Sequence, residues 1–320
     1  MRIALIGYGS VAKQFAFLLS DKRSAYPFRI VAAHTRRGTA YNDKGLAVAP
    51  AFGEPEASID EFLARARPDV AIEITTLNPE SGEPAIAHIR AAFARNIHVI
   101  TANKGPIAHA YASLCEEARR AQVEFRFEST VMDGAPVFNQ FRNNFPGMKL
   151  LGFTGVLNST SKVVVAAMQR GLAMDDGIRE AQALGIAEAD VYYDIDGWDS
   201  AAKTAALANV LMDARTTPQQ VNRSGLRDVT TAQAVAYGEA GRSVLLVSRG
   251  TRTRDGSVEL SVRPEVVPAD DLLATAKGTS NILLFHTDLM GTVGTVLIEP
   301  RVQQTAYGLF SDLVDIARSV

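Results

Sequence analysis

The chain has 320 residues, of which 47% are hydrophobic and 21% charged, with a formal net charge of −2 at neutral pH. That length exceeds the size at which one hydrophobic core usually keeps growing, so two domains are expected. The near-neutral balance gives no basic footprint for nucleic acid or for a membrane surface, and no apolar run reaches the roughly 18–20 residues of a membrane span, which leaves a small-molecule partner. The opening MRIALIGYG, residues 1–9, stops at glycine after a short apolar run, where a secretory signal would continue to a cleavage site; a cytoplasmic protein is expected. The single cysteine, Cys115, cannot form an internal disulfide, and its setting in YASLCEEARR predicts the buried side of a helix.

Arg2 to Ile6 read as a strand, Gly7-Tyr8-Gly9-Ser10-Val11-Ala12 as a glycine turn, and the following KQFAFLLSD as a helix with apolar side chains at helical spacing. This order suits a dinucleotide: Gly7 allows the tight turn, Gly9 lets backbone approach the pyrophosphate, and Ser10 and Val11 open a helix whose N-terminus favours phosphate. The next strand, FRIVAAHT, ends in Arg36 and Arg37 where an NAD-selective site would place an acidic residue. Two arginines favour the 2′-phosphate of NADP(H) over NAD(H), although a solvated basic turn would read the same way. A third strand, DVAIEITT, carries Glu73, Thr75 and Thr76 near the edge where open α/β sheets bind ligands, and Thr75 is a candidate cofactor contact. After the helix PAIAHIRAAFARN, the strand HVIT leads to Lys104, which faces the same crevice.

Further on, residues 188–203 are dense in carboxylates yet interleaved with aromatic and apolar residues. Asp199 and Lys203 stand four apart, on one face of the helix SAAKTAALANVLMD. They read either as a surface ion pair or as a buried cluster whose lysine is oriented by carboxylates to act on a carbonyl or hydroxyl. Hydride transfer to a carbonyl leaves an alkoxide that needs a proton or a positive neighbour, and Lys104 and Lys203 are the two candidates.

GYGSVA at the start, GEPAIAHIRAAFARNIHVITANKGP in the middle and ALGIAEADVYYDIDGWDSAAK later, with VMDGAPV, GVLNSTSK, TDLMG and TAYGLFSDLVDIA, resemble the homoserine dehydrogenase family over nearly the whole chain. The resemblance implies reduction of aspartate semialdehyde to homoserine with NAD(P)H. It maps the essential cluster onto Lys104, Asp199 and Lys203, puts Asp194 near the reacting oxygen, has Glu188 hold the substrate's amino group, and places Ser159 and Thr160 on the substrate side. It further implies a monovalent cation such as sodium at Glu128, Val131, Asp133 and Ala135, a homodimer formed through a sheet of the second domain, and no fused regulatory domain.

The expected fold is α/β: an N-terminal Rossmann dinucleotide-binding domain over residues 1–130, with a final helix at 305–320 packing back on it, and an α+β catalytic and dimerisation domain over 131–304. The chain departs from the family pattern where the usual Asn-Gly-Thr-Thr-Asn-Tyr reads Asn158-Ser159-Thr160-Ser161-Lys162-Val163, and where a tyrosine is Ile186. Those changes leave open a related oxidoreductase for a different alcohol or aldehyde. A non-catalytic NADP(H) sensor is the other alternative, and it has no need of the lysines and carboxylates together.

Overall fold

The computed structural model describes residues 1–187 and 191–319. The chain divides into two compact units, Met1–Phe138 with Arg301–Val320, and Asn139–Pro300.

The first unit alternates strands and helices: β1 (Arg2–Ile6), α1 (Ser10–Asp21), β2 (Arg29–Thr35), β3 (Gly38–Tyr41), α2 (Ile59–Ala66), β4 (Val70–Glu73), α3 (Ala85–Phe93), β5 (His98–Thr101), α4 (Lys104–Arg120) and β6 (Phe125–Arg126). Its sheet runs β3-β2-β1-β4-β5-β6, parallel throughout except for β3. The strands are near-continuous apolar runs such as Ile3 to Ile6 because helices cover both faces. Since β2 and β4 flank β1 on opposite sides, the strand order reverses beside the end of β1, where such sheets take ligands. The short β3 has no signature in the sequence, and its hairpin with β2 puts Arg36 and Arg37 in a tight exposed turn. Cys115 is half-exposed on α4 rather than buried, because Leu114 and Ala118 form the buried face there.

The second unit starts within α5 (Phe138–Asn144) and continues with β7 (Leu150–Val156), α6 (Ser159–Gln169), α7 (Met174–Ala183), α8 (Tyr192–Ile195), α9 (Trp198–Met212), β8 (Asn222–Arg223), α10 (Thr231–Glu239), β9 (Arg242–Arg252), β10 (Val258–Pro268), β11 (Asn281–Thr287) and β12 (Gly291–Leu297). Its sheet is mixed, in the order β12-β11-β7-β9-β10-β8, with only β8 and β10 parallel. The apolar-rich segments VELSVRPEVVP and TSNILLFHTDLMGTVGTVLIEP supply β10, β11 and β12. Helix α9 is buried nearly all round, being rich in alanine and carrying most of its few polar groups in its first two turns.

The chain then returns to the first unit as α11 (Val302–Ser319), whose Leu309, Leu313 and Ile316 share a core with Leu5, Phe15 and Ile72. The fit is close where two glycines cross. A Cβ on Gly134 would lie 2.1 Å from the Gln304 carbonyl oxygen, and one on Gly308 would lie 2.9 Å from the Gly134 Cα. Gly134→Ala is therefore expected to destabilise the protein by roughly 1–3 kcal/mol, measured by urea unfolding; unchanged stability would mean that α11 yields freely there.

Candidate active site

In the first unit, the glycine turn lies at the carboxyl edge of the sheet. Gly7 has φ +104, and an added Cβ would sit 2.5 Å from the Ile74 carbonyl oxygen, so the chain itself requires glycine there. Gly9 differs: a Cβ would meet no protein atom within 4 Å, and this residue opens α1 in an extended conformation. The open side of Gly9 and the N-terminus of α1, at Ser10 and Val11, are together suited to a phosphate. Thr75 and Lys104 stand just past the ends of β4 and β5, neighbouring strands on the far side of β1 from Arg36 and Arg37. The β2–β3 turn is shaped by the Thr35 hydroxyl, which accepts from the Arg37 and Gly38 amides at 3.2 and 3.1 Å. Thr75 turns its hydroxyl inward to the Glu73 carboxylate, a contact that strand periodicity does not foretell.

In the second unit, Asp194, Asp199 and Lys203 come together, and a fourth residue joins them. Asn158 follows β7 and caps α6, its Oδ1 accepting from the Ser161 amide at 2.8 Å. Its Nδ2 donates to Asp194 Oδ1 at 2.6 Å and to Asp199 Oδ2 at 3.1 Å, holding two carboxylates side by side. Lys203 Nζ lies 3.2 Å from Asp199 Oδ2 and donates to the Leu157 carbonyl at 2.6 Å. Both partners of the Asp199–Lys203 pair are about 15% exposed, which takes the pair out of the solvent-exposed regime where ion pairs count for little. Burial, and then the neighbouring charge of Asp199, push the Asp194 carboxyl above its ordinary range, against the hydrogen bonds from Asn158 and Thr160.

The turn between α8 and α9 is braced from behind. Arg227 forms a bidentate pair with Asp196, and the Arg223 guanidinium stacks on the Trp198 ring with 3.8 Å to its centroid. Thr160, besides meeting Asp194, donates to the Ile186 carbonyl at 3.4 Å. Ser159 and Lys162, the departures in the Asn158–Lys162 segment, both reach residues 279–281. The Ser159 hydroxyl donates to the Thr279 carbonyl at 3.1 Å, and Lys162 Nζ donates to the Ser280 carbonyl and, at 3.2 Å, to Asn281 Oδ1. Lys162 is buried, and desolvation followed by the charge of Lys203 pulls its amine down to about 7. Glu188 lies outside the described residues.

The Glu128 carboxylate is buried in the first unit, and its Oε1 accepts from the amides of Val137 and Phe138 at 2.5 and 2.9 Å. Between them the chain turns through Val131, Asp133 and Ala135, with Asp133 at φ 53 and its Oδ1 accepting from the Thr305 hydroxyl at 2.8 Å.

Family comparison decides what this arrangement belongs to. The homoserine dehydrogenase family profile matches residues 136–314, and the profile of the homoserine dehydrogenase NAD binding domain matches residues 7–128. The chain belongs to the homoserine dehydrogenase family. It is an NAD(P)-dependent oxidoreductase acting on a CH–OH group of a small-molecule substrate. The homoserine dehydrogenase of Methanocaldococcus jannaschii is 34% identical, across 100% of this chain and 99% of that protein. An NAD(+)-dependent homoserine dehydrogenase from Pseudomonas canavaninivorans is 32% identical, across 99% and 96%. Among solved structures, a hyperthermophilic archaeal homoserine dehydrogenase in complex with NADPH superposes with a TM-score of 0.84 at 26% identity, covering 100% of this chain and 98% of that one.

Within this homoserine dehydrogenase fold, sequence reasoning gave Asn158 no role, although an asparagine three residues before Ser161 and just ahead of an apolar helical run is a helix-start signal. Asp196 and its arginines are missed for a different reason. Arg227 is 31 residues away from Asp196, and nothing local in the sequence pairs them.

Proposed function

We propose that the chain interconverts L-aspartate 4-semialdehyde and L-homoserine. The observation that carries this reading is the cluster of Lys203, Asp199, Asn158 and Asp194, in which an ammonium is aimed by a carboxylate and a main-chain carbonyl. A dinucleotide held at Gly9 and the N-terminus of α1 would supply the hydride for the aldehyde carbon. The carbonyl oxygen then takes a proton from Lys203, which Asp199 and Leu157 hold in place, and Asp194 is assigned to that same oxygen. Lys104, opening α4 at the carboxyl edge of the first sheet, is assigned to the cofactor side. Ser159 and Lys162 direct their polar atoms to residues 279–281, which supports the family substrate over a different alcohol.

NADP(H) is favoured over NAD(H), because β2 is followed by Arg36 and Arg37 with no acidic residue to hold a ribose hydroxyl. A monovalent cation such as sodium is assigned to Glu128 and the main-chain carbonyls of Val131, Asp133 and Ala135, oxygen donors of the kind a hard cation takes. Exposed Leu289, Met290, Val296 and Ile298 on and beside the edge strand β12 support a homodimer through that sheet. No helix among the described residues is long and apolar enough to cross a membrane, and a cytoplasmic enzyme is the reading we adopt.

The test is direct. Purified protein is mixed with NADPH or NADH and aspartate semialdehyde, with sodium present or replaced by choline, and the reduced nicotinamide is followed by absorbance. Aldehyde-dependent oxidation, faster with NADPH, is expected. A protein that binds dinucleotide yet ignores both aspartate semialdehyde and homoserine would end the substrate assignment.

A further inference from the structure

Glu73 ends β4 with a side chain wholly removed from solvent. Among the described residues no lysine or arginine pairs with it; the nearest basic group is His88 on α3, whose Nδ1 stands 3.8 Å from Oε1 and makes no hydrogen bond. Three donors hold the carboxylate instead. The amide of Thr75 at 3.0 Å and its hydroxyl both donate to Oε1, and the Thr101 hydroxyl donates to Oε2 at 3.0 Å. All three contacts are donors, which is the demand of an acceptor-only group.

The contacts continue into the next element. Thr101 Oγ1 accepts from the Asn103 amide at 2.9 Å, and Asn103 caps α4 through its Oδ1, which accepts from the Gly105 amide at 3.0 Å. Asn103 Nδ2 returns to the Thr75 carbonyl at 3.4 Å and closes a ring. One carboxylate thereby fixes the residue that follows β4 and the first turn that follows β5. These strand ends lie against the glycine turn, since Gly7 packs on the Ile74 carbonyl and leaves no space for a side chain. Burying a carboxylate is costly unless its lone pairs are matched, and an apolar side chain would end the strand without that cost. An apolar residue could not fix the direction of Thr75 or the register of α4.

We propose that Glu73 is a positioning residue for the dinucleotide: by tying Thr75 and the first turn of α4 into one hydrogen-bonded ring, it presets the edge of the cofactor site before the cofactor arrives. This rests on the first unit being the dinucleotide site.

The experiment compares wild type with Glu73→Gln, which keeps size and one acceptor but turns an N–H toward a group that itself donates. NADPH and NADH are titrated onto the unliganded protein by fluorescence, alongside thermal unfolding, amide exchange and steady-state kinetics. Dissociation constants are expected to rise about tenfold or more, while KM for the semialdehyde stays within about twofold. In the unliganded protein, exchange at the Thr75 and Gly105 amides should quicken. Thr101→Val cuts only the arm to α4 and serves if Glu73→Gln does not fold; it is expected to weaken dinucleotide binding about threefold or more, with Thr101→Ser restoring it. Folded Glu73→Gln or Thr101→Val protein that binds dinucleotide as wild type does overturns the proposal, as does an equal rise in both KM values. Wild type that binds neither dinucleotide removes the cofactor reading itself and takes this proposal with it, a result visible before any variant is made.

Discussion

Lys203→Ala is expected to lower kcat by about two to four orders of magnitude while dinucleotide affinity stays within about twofold of wild type. The loss has two sources. The ammonium that meets the developing alkoxide disappears, and Asp199 loses its positive neighbour 3.2 Å away inside a partly buried site. Asp194, already pushed upward by burial and by Asp199, then faces that charge without Lys203 to offset it. The variant's remaining activity should therefore carry a pH dependence displaced from that of wild type. Lys203→Arg separates charge from shape. A guanidinium keeps the charge but cannot give up its proton at ordinary pH, so Lys203→Arg should resemble alanine in kcat if Lys203 delivers the proton, and recover if it only supplies charge. Single-turnover traces of nicotinamide oxidation measure both variants. Alanine with a wild-type kcat would remove Lys203 from the chemistry altogether.

Lys162→Met is expected to change how stability depends on pH. The amine of Lys162 falls from its ordinary 10.5 to about 7 because burial strips water from the ammonium and Lys203 repels it. Below about pH 7 both folded and unfolded chains hold the proton, and the full penalty of burying the charge is present. Between about 7 and 10.5 the unfolded chain holds a proton that the folded chain lacks, so the folded state gains stability as pH rises through that window. The gain is roughly 5 kcal/mol. Methionine removes the titration and also the hydrogen bonds to Ser280 and Asn281, which costs about 1–3 kcal/mol. The variant should accordingly be the more stable protein near pH 6 and the less stable one near pH 10, with the two unfolding curves crossing between. Urea unfolding across that range measures the difference. A stability difference that does not vary with pH would show that Lys162 keeps its ordinary affinity for the proton.

How much of this was legible beforehand depends on the range of the interaction concerned. Gly7, Gly9 and the apolar β1 signal a Rossmann unit because strand, turn and helix are written in adjacent residues. The spacing of Asp199 and Lys203 is legible for the same reason, since one helical turn separates them. Residue spacing does not reveal which side of the chain Lys162 faces. A lysine after a polar run looks like a solvated cation, and only the fold shows that it reaches across to Ser280 and to Asn281 at the start of β11, 118 and 119 residues away. Glu73 could be located but not interpreted: its place at a strand end is in the sequence, whereas Thr101, its second partner, arrives with the neighbouring strand. The exposure of Cys115 was misjudged because its apolar neighbours fix the helix face only to within one position.

The crossing of Gly134 with α11 bears on the order in which the molecule can assemble. Ala306, Leu309 and Leu313 fill the same core as Leu5 and Phe15, so the nucleotide-binding unit is discontinuous in sequence and draws on residues made before and after the whole of the second unit. The second unit, residues 139–300, is continuous and has all of its strands by the time Leu297 leaves the ribosome. The unit whose first strand is translated before the other unit begins is therefore completed after it, and until α11 docks, its apolar sheet lacks part of its cover.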